Sequence, residues 1–393
     1  MPMPVRSKPS DMIPYGRQDI RSEDIDAVIE VLKSDFITQG PVVARFEATL
    51  ARKVGAACAV AMNSATSALH VAVAALDLGP GDLMWTSPIT FVASANCGRY
   101  VGADVDFVDI DPDTFNMCPK ALAAKLEQAK AVGRLPKVIV PVHMCGQSAA
   151  MYEIAELVRP LGIRIVEDAS HAVGGSYMGE LVGSCKYSDI TIFSFHPVKI
   201  ITTAEGGMAL TNDPELAARM ERLRSHGITR DSELMSQEPD GPWYYQQIEL
   251  GWNYRMTEIQ AALGLKQQER LEEYVDRRNA LADRYDSLLA DLPLDQPGRL
   301  KSARSSFHLY VIRLHDETRH RAVFHALHAY GVGVNLHYIP VHLQPYYRAL
   351  GFAVGDFPVA EAYYKRAISI PLYSGLTDAD QYRVVDSFRK ALG

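Results

Sequence analysis

The sequence predicts an α/β fold built around a mostly parallel sheet, and two observations support this prediction. From about residue 55 onward, seven short apolar runs alternate with segments of helical periodicity. The runs are almost continuously apolar, as expected of strands that are covered by helices on both faces. The seven runs are ACAVAMN (57–63), LMWTS (83–87), DVDFVDI (104–110), KVIVPVH (137–143), IRIVED (163–168), SDITIFSF (188–195) and GMALT (207–211).

Segments on either side of this alternating region predict further elements. Ser22 and the acidic residues after it begin an i, i+3, i+4, i+7 apolar pattern, which predicts a helix that DFITQGP (35–41) ends. We expect a long helical stretch over 257–292. A smaller α+β part should follow, with strands near 307–314 and 332–338.

These elements predict three parts of the chain. We expect an N-terminal arm and helix in 1–40, a large domain in 41–255, and a linking helix with a smaller C-terminal domain in 256–393. The polar, proline-containing segment 231–247 predicts a loop. The last segment, TDADQYRVVDSFRKAL (377–392), predicts an amphipathic helix.

Composition and charge exclude several classes of protein. The chain has 393 residues, of which 48% are hydrophobic and 22% charged, as in an ordinary soluble enzyme. Its net charge of −7 argues against a nucleic-acid partner, which needs a basic face. No apolar run is as long as a membrane span, and MPMPVRSKPS (1–10) lacks the apolar core of a signal peptide. We therefore expect a cytoplasmic protein without a nucleic-acid or membrane partner.

The cysteines predict no covalent cross-link. An odd, dispersed set of five indicates reduced thiols rather than disulfides or a zinc site, so we expect no metal. The five are Cys58, Cys97, Cys118, Cys145 and Cys185.

Three features capable of chemistry follow separate strands, at the strand ends where ligands bind in open α/β sheets. In the first, Asn63, Ser64, Ala65, Thr66 and Ser67 form a turn of small residues that opens a helix. Free N–H groups, hydroxyls and the helix dipole make such a turn an anion site suited to a phosphate. An ordinary Ser/Thr helix cap is the alternative interpretation, and such caps are more common.

The second feature is Asp168, which ends the very apolar strand IRIVED. An unpaired carboxylate in such a place is costly, so Asp168 needs a cationic or hydrogen-bonding partner. A protonated pyridine nitrogen would serve, and so would an arginine. His171, three residues later, could orient the acid or stack on a ring, although a lone histidine is more often structural.

The third feature is Lys199, which follows SDITIFSF (188–195). A partly desolvated amine close to other cations has a lowered pKa and becomes a nucleophile that can form a Schiff base. Ser194 can add a hydroxyl at the same strand end, and the pair Gly206–Gly207 allows close backbone approach. A single lysine is a weak signal. Together, however, the anion-binding turn, the acid and the lysine are what pyridoxal phosphate requires, so we predict that cofactor.

These motifs resemble the sugar-nucleotide aminotransferases of pyridoxal-phosphate fold type I, the DegT/DnrJ/EryC1/StrS family. The similarity extends over nearly the whole chain, from FITQGP (36–41) to LGWNYRMTEIQAALG (250–264). The resemblance implies an aspartate-aminotransferase-like fold, with a mostly parallel seven-stranded sheet in a large domain and a smaller α+β C-terminal domain. The motifs between the two ends are NSATSALH, PITFVASAN, FVDIDPDTFN, PVHMCGQ, VEDASHAVGG, SFHPVK and TTAEGG.

The resemblance also implies a role for each candidate residue. Lys199 would form the Schiff base and shuttle a proton, Asp168 would pair with the pyridine nitrogen, and Phe91 would stack on the cofactor ring. Asn253 would reach the phosphate of a partner subunit's cofactor. The other cofactor-binding candidates are Thr66, Ser67, His171 and Ser194. The substrate-binding candidates are Tyr15, Asp35, Phe36, Ile37, Thr38, Thr66, Ser194, Asn253, His337 and Tyr338. For most of them, simple packing is the alternative.

The implied reaction is transamination of a nucleotide-linked 4-keto-6-deoxy sugar, of the UDP-N-acetyl-β-L-altrosamine type, with L-glutamate as the amino donor. The implied assembly is a homodimer with shared active sites. Lys199 favours transamination, because the branch of the family that dehydrates sugars has histidine there. Ala65 and Ala204 stand where the family usually has glycine, which affects the fit of the pocket rather than the chemistry.

Three alternative functions stay open on the sequence. The substrate could be another nucleotide keto sugar, of the perosamine or aminoglycoside type. The chain could also be a regulatory module that binds pyridoxal phosphate without turnover. A lyase such as a desulfurase would need a reactive cysteine on a mobile loop, and none of the five cysteines lies in an evident one.

Overall fold

The computed structural model describes residues 12–393, so the expectations for residues 1–10 and for the start of the N-terminal arm lie outside the described residues. The described chain contains both long strands and two-residue pairings. The strands are β1 (Cys58–Met62), β2 (Leu83–Thr86), β3 (Asp104–Phe107), β4 (Val138–Val140), β5 (Arg164–Asp168), β6 (Ser176–Tyr177), β7 (Glu180–Leu181), β8 (Ile190–Ser194), β9 (Gly207–Thr211), β10 (Ile228–Thr229), β11 (Gln246–Gln247), β12 (Leu294–Asp295), β13 (Ala303–Arg304), β14 (Tyr310–Leu314) and β15 (Ala367–Ile370).

The main sheet has seven strands in the order β1-β9-β8-β5-β4-β2-β3. Strands β8, β5, β4, β2 and β3 pair in parallel, whereas β9 runs antiparallel to both of its neighbours. Each strand coincides with one of the seven apolar runs, so the predicted mostly parallel sheet is confirmed. Because β1 and β8 run the same way, the carboxyl ends of β1, β2, β5 and β8 lie at one edge, together with the start of β9.

Helices cover the sheet and connect its strands. The predicted helix at Ser22 is confirmed, and so is the final helix, which Thr377 caps through a reciprocal pair of bonds with Asp380. The helices are α1 (Ser22–Leu32), α2 (Pro41–Val54), α3 (Ala65–Ala75), α4 (Ala93–Tyr100), α5 (Pro119–Ala131), α6 (Met151–Val158), α7 (Pro214–Leu223), α8 (Glu258–Glu269), α9 (Leu271–Leu288), α10 (His320–Ala329), α11 (Pro345–Arg348), α12 (Pro358–Arg366) and α13 (Asp378–Leu392).

The smaller sheets lie after the main one in the chain or at its margin. Strands β12, β14 and β15 form an antiparallel sheet whose core includes Tyr310, Ile312 and Ile368. Strand β13 pairs with the β6–β7 hairpin, which lies between β5 and β8 in the chain. The proposed domain boundaries at 40/41 and 255/256 stay a prediction. The loop predicted at 231–247 is largely irregular and ends in the short strand β11.

The helical stretch predicted over 257–292 is two helices, because the chain turns at Arg270. The backbone there has φ −102° and ψ 10°, outside the helical region, between α8 and α9. The Arg270 guanidinium donates to both oxygens of the buried Asp24 in α1, at 2.6 and 2.8 Å. Its Nε donates to Tyr274 Oη at 2.9 Å. We attribute the break to these tertiary contacts, which outweigh the local helical preference.

The strand predicted at 332–338 does not form. Backbone pairing in this segment is confined to single bridges, between Val332 and Ile13 and between Asn335 and Ser369. The last residues of this segment, His337 and Tyr338, instead line a cavity. A short apolar run therefore predicted a strand where the chain makes only isolated bridges.

Ala204 adopts a backbone conformation that favours glycine. Its φ is +65°, in the left-handed region, and it lies in the loop between β8 and β9. For an L residue with a Cβ this conformation costs about 1 kcal/mol. The sequence pattern that suggests glycine here therefore has a physical basis in the backbone.

Ala204→Gly should stabilise the cofactor-free protein by about 0.5–1 kcal/mol, because relief of the left-handed strain exceeds the entropy that glycine adds to the unfolded chain. Chemical denaturation of both proteins under identical conditions would measure the change. The matched control is Ala124→Gly at an exposed position inside α5, which should lose about 1 kcal/mol. Equal destabilisation by the two substitutions would contradict the assignment of strain to Ala204.

Candidate active site

A cavity of about 560 Å³ opens at the sheet edge where β1, β2, β5 and β8 end. Its size is that of a small-molecule site. Nine predicted site residues lie in its wall: Tyr15, Thr66, Phe91, Asp168, His171, Ser194, Lys199, His337 and Tyr338. The three strand-end features of the sequence therefore converge on one cavity.

Lys199 lies in the loop between β8 and β9, and this loop is fixed at both ends. The N–H of Lys199 donates to His196 O at 2.9 Å, and the Thr203 N–H donates to Phe195 O at 3.0 Å. Within residues 12–393 no carboxylate lies in ion-pair distance of the lysine. Burial lowers the pKa of Lys199 to about 8, and the Asp168 carboxylate opposes that shift. The amine is therefore poised as a nucleophile close to neutral pH.

Asp168 is the last residue of β5, and only 5% of it is exposed. One carboxylate oxygen accepts the Ser170 N–H at 3.1 Å, and the other accepts the Ser94 hydroxyl at 2.5 Å. No cationic side chain of the described chain forms an ion pair with it. Each oxygen keeps further acceptor capacity, which a protonated ring nitrogen in the cavity can use.

Three buried histidines meet beside Lys199. His171 Nε2 lies 3.1 Å from Tyr338 Oη, and the His171 and His308 rings are 4.4 Å apart. Burial lowers the pKa of His171 and of His308 well below the usual range, and the nearby Lys199 lowers both further. Burial, with the same lysine, lowers the pKa of His337 to about 3. All three rings are therefore neutral at physiological pH and bring hydrogen-bonding atoms without charge.

The turn after β1 has the backbone geometry of an anion cradle, and its role in binding phosphate stays a prediction. Ser64 caps α3 by accepting the Ser67 N–H at 3.1 Å, so the common helix-cap interpretation is also correct. The first-turn N–H groups of Ala65 and Thr66 have no partner inside a helix and are available to an anion. Gly207 lies directly beneath, where a Cβ would meet Ala65 N at 2.5 Å. Close backbone approach therefore requires glycine at 207.

These residues fit pyridoxal phosphate. The cradle at α3 suits its phosphate, and the unpaired Asp168 carboxylate suits a protonated ring nitrogen. Phe91 is 57% exposed, although it is aromatic, and can stack on a ring in the cavity. His171 Nδ1 is buried without a hydrogen-bond partner among the described residues, so it too is free to meet a ligand.

Six predicted residues lie outside the cavity of a single chain. Ser67 is buried and donates to Asn63 Oδ1 at 2.6 Å, so it supports the turn from behind. The other five are exposed: Asp35, Phe36, Ile37, Thr38 and Asn253. Their predicted roles stay predictions for an assembly of two chains.

Asn253 could instead cap its own helix, and Arg255 could pair with a local carboxylate such as Glu258, but neither contact forms. Thr257, rather than Asn253, caps α8, in a reciprocal pair with Gln260. Glu258 does not pair with Arg255, because its carboxylate accepts the N–H groups of Val42 and Val43 at 2.6 and 3.1 Å. Throughout the part of the chain described, Arg255 has no ion-pair partner. Both side chains are therefore available to a ligand or a second subunit.

Sequence reasoning missed several residues of this site. Ser94 bonds Asp168 directly, while Thr90, His308, Asn335 and Glu205 line the cavity. Ser94 lies buried in the first turn of α4, and nothing distinctive in the local sequence marks it. His308 and Asn335 come from the C-terminal part of the chain, and nothing local marks them.

Comparisons with known proteins agree with this geometry. The model of the DegT/DnrJ/EryC1/StrS aminotransferase family matches residues 18–389. The chain is 38% identical over 388 residues to the spore coat polysaccharide biosynthesis protein SpsC of Bacillus subtilis, covering 97% of each chain. It is 36% identical over 382 residues to the UDP-4-amino-4,6-dideoxy-N-acetyl-β-L-altrosamine transaminase of Campylobacter jejuni, covering 96% of each. The chain therefore belongs to the DegT/DnrJ/EryC1/StrS aminotransferase family.

A solved structure supports the same conclusion. The candidate sugar aminotransferase Spr1654 of Streptococcus pneumoniae, in its PMP form, superposes with a TM-score of 0.89 at 32% identity. The match covers 96% of this chain and 98% of that one. The predicted fold type I and the predicted enzyme class, a sugar aminotransferase, are thereby confirmed. The predicted cofactor agrees with the PLP and PMP forms in which that protein was solved.

Lys199→Ala should abolish the visible absorption of the protein loaded with pyridoxal phosphate and lower its turnover by roughly 10³-fold or more. The reason is that no other lysine among residues 12–393 lines the cavity. Borohydride reduction of the loaded wild type, followed by peptide mass mapping, should place the cofactor on Lys199. Lys186→Ala, at an exposed lysine paired with Glu180, is the control and should change neither property. An alanine variant at 199 that still transaminates near the wild-type rate would refute the assignment.

The reactivity of Lys199 should depend on pH with a midpoint of about 8. Below this pKa the free-amine fraction falls about tenfold per pH unit, so modification by a neutral aldehyde should rise up to pH 8 and then level off. Exposed Lys186, whose pKa the Glu180 carboxylate raises, should continue to gain reactivity above pH 10. Reductive trapping in the cofactor-free protein and peptide mass measurement give both rates. Parallel profiles for the two lysines would exclude a lowered pKa at Lys199.

Proposed function

We propose that this pyridoxal-phosphate-dependent enzyme transfers an amino group from L-glutamate to the C4 ketone of a nucleotide-linked 4-keto-6-deoxy sugar. The proposed substrate is of the UDP-4-keto-6-deoxy-N-acetyl-β-L-altrosamine type, on the route to pseudaminic acid. The observation that carries the proposal is the convergence of Lys199, Asp168 and the α3 cradle on one cavity. When bound, the cofactor supplies an electron sink and carries the amino group between the two substrates.

Each residue of the chain has a defined part in this proposal. Lys199 Nζ holds the cofactor and moves the proton at the reacting carbon, for which a pKa of about 8 is suitable. Asp168 keeps the ring nitrogen protonated. Phe91 fixes the plane of the ring, and its centroid lies 6.1 Å from that of Tyr338. The neutral histidines provide bonds to sugar or cofactor oxygens without competing for the proton.

The choice of sugar rests on similarity rather than on chemistry. Stretches PYGRQDI (14–20), LKSDFITQGP (32–41) and NLHYIPVHLQPYY (335–347) resemble PseC, and they contain Tyr15, Asp35–Thr38, His337 and Tyr338. The similarity to the C. jejuni transaminase supports the same sugar. SpsC is similar to a comparable degree, so a different nucleotide keto sugar, of the perosamine or aminoglycoside type, is the second candidate.

Other classes of function receive less support. A desulfurase-type lyase needs a reactive cysteine, and none of the five cysteines lines the cavity. Burial raises the pKa of Cys97, Cys145 and Cys185, which disfavours their reactive thiolates. A regulatory module without turnover would need Lys199 only to hold the cofactor, whereas the presence of Asp168 beside the cavity favours an enzyme that keeps the ring protonated for turnover. We also propose a cytoplasmic location, consistent with five free thiols; no described helix is long and apolar enough to cross a membrane.

A homodimer with shared sites is part of the proposal. Helix α1 exposes Ile25, Ile29 and Leu32 on one face, and the exposed Phe36 and Ile37 follow it. Such a group of exposed large apolar side chains on a folded chain is typical of a subunit interface. It includes the exposed segment 35–38, which would meet the substrate only in an assembly.

The segment around Asn253 supports the same arrangement. Trp252 and Tyr254 stack at 5.7 Å, and both pack near His70 behind the α3 cradle. The intervening Asn253 is exposed and points away from this aromatic cluster, as alternation along an extended backbone requires. Its amide can therefore donate to a phosphate bound in another subunit.

The substrate proposal is tested by incubating the purified holoenzyme with 15N-labelled L-glutamate and a panel of UDP- and GDP-linked 4-keto-6-deoxy sugars. Mass spectrometry should show 15N in the product of the altrosamine-type UDP sugar, with kcat/KM at least about tenfold above the other sugars. Asp168→Ala is the control and should lower turnover on every sugar. Preferred turnover of a GDP sugar would select the second candidate, and loss of colour without any sugar product would reject both.

Subunit mixing tests the shared site. Lys199→Ala and Asn253→Ala should each be inactive or nearly so as homodimers. In a heterodimer with shared sites, one site carries both lesions and the other carries neither. After equal mixing and full exchange, half of the dimers are heterodimers, and each has one intact site out of two. About a quarter of all sites, and so about a quarter of the wild-type activity, should therefore return. No recovery despite proven exchange, or full activity of a monomer, would rule out shared sites.

A further inference from the structure

Two buried hydroxyls on the segment after β2, those of Thr90 and Ser94, support Asp168. Ser94 lies in the first turn of α4 and is fully buried. Its Oγ lies 2.5 Å from Asp168 Oδ2, the shortest of the bonds that this carboxylate accepts. Thr90, which lines the cavity, is also buried, and its Oγ1 lies 2.7 Å from Ser94 Oγ.

The chemistry of the groups fixes the direction of these bonds. A carboxylate can only accept, so the single proton of the Ser94 hydroxyl points to Asp168. Ser94 Oγ must then accept from Thr90, whose own proton points to Ser94. A hydroxyl in a helix commonly bonds a carbonyl one turn earlier, and Phe91 O lies within 3.3 Å. The contact to Asp168 is much shorter, as expected of a bond to a charged acceptor.

We propose that Ser94, supported by Thr90, is a positioning residue that holds the Asp168 carboxylate in the orientation needed to pair with the cofactor's ring nitrogen. The Ser170 N–H restrains one carboxylate oxygen and Ser94 the other, so the plane of the group is set before any ligand arrives. The inference rests on the proposed role of Asp168. It goes beyond that role by assigning a function to Thr90 and Ser94, which lie on either side of Phe91 in the sequence.

Removal of the Ser94 hydroxyl should release the carboxylate. Asp168 Oδ2 would then be a buried charged acceptor without its donor, and it would turn toward any other partner at the expense of the ring nitrogen. Ser87 provides a matched control. It follows β2 directly and is fully buried, but its hydroxyl has no hydrogen-bond partner within residues 12–393.

The test compares Ser94→Ala, Thr90→Val, Ser87→Ala and Asp168→Ala, each prepared free of cofactor and titrated with pyridoxal phosphate labelled with 15N in the ring. Two readouts are measured: the dissociation constant, and the 15N chemical shift that reports protonation of the ring nitrogen. Ser94→Ala should raise the dissociation constant roughly tenfold or more and move the 15N signal toward the neutral ring. Thr90→Val should do the same more weakly, and Ser87→Ala should match the wild type.

The outcomes separate this inference from the role of Asp168. An unchanged 15N signal in Asp168→Ala would overturn the pairing itself and the inference with it. A neutral ring in Asp168→Ala, together with wild-type values in Ser94→Ala, would leave the pairing intact and overturn only the role of Ser94. If Ser94→Ala fails to fold, Thr90→Val decides the question. The inference would be overturned if Thr90→Val and Ser87→Ala gave the same dissociation constant and the same 15N chemical shift.

Discussion

The constraint on which this site depends is the cost of an unpaired carboxylate at the end of a buried strand. Asp168 has apolar strand on one side and the cavity on the other, and within the described chain only hydroxyl and amide donors reach it. Such donors hold a carboxylate in place but bring no positive charge. A cation in the cavity is therefore stabilised beside it. A protonated pyridine ring has that charge, and the exposed Phe91 ring in the cavity wall offers a face on which it can stack.

The same electrostatic environment explains why the neighbouring bases are neutral. Burial disfavours every positive charge in the cavity, and Lys199 retains a pKa as high as about 8 because Asp168 opposes the effect of burial. His171, His308 and His337 lack comparable support from a carboxylate and repel the charged lysine, so their pKa values lie far lower. Because Asp168 supports the charge of Lys199 but not that of the histidines, Lys199 is the titrating nucleophile and the three histidine rings are neutral hydrogen-bonding groups.

Much of this architecture could be predicted from local sequence, because strand burial and helix caps are local properties. The seven apolar runs predicted all seven strands of the main sheet. Asp168 was identifiable as the acid that ends one run, and Lys199 as the lysine in the loop after another. The break at Arg270 and the missing strand at 332–338 could not be predicted in this way. The first depends on an ion pair with Asp24, 246 residues away, and the second on a cavity wall assembled from distant segments. Ser94 was missed because a buried serine in a helix has no distinctive pattern.

The start of α8 links the cavity to the surface segments that a second subunit would use. Gln260 closes the helix cap with Thr257 and also donates to Glu205 O, at the cavity wall, at 2.7 Å. The Glu258 N–H donates to Ile37 O, and its buried carboxylate holds the first N–H groups of α2. One helical turn therefore fixes the cavity wall, the exposed segment 35–38 and the approach to Asn253 relative to each other. Two chains that associate through these surfaces would then bring preorganised groups to each other's cavities. The conformational entropy of these segments would be lost largely on folding rather than on association.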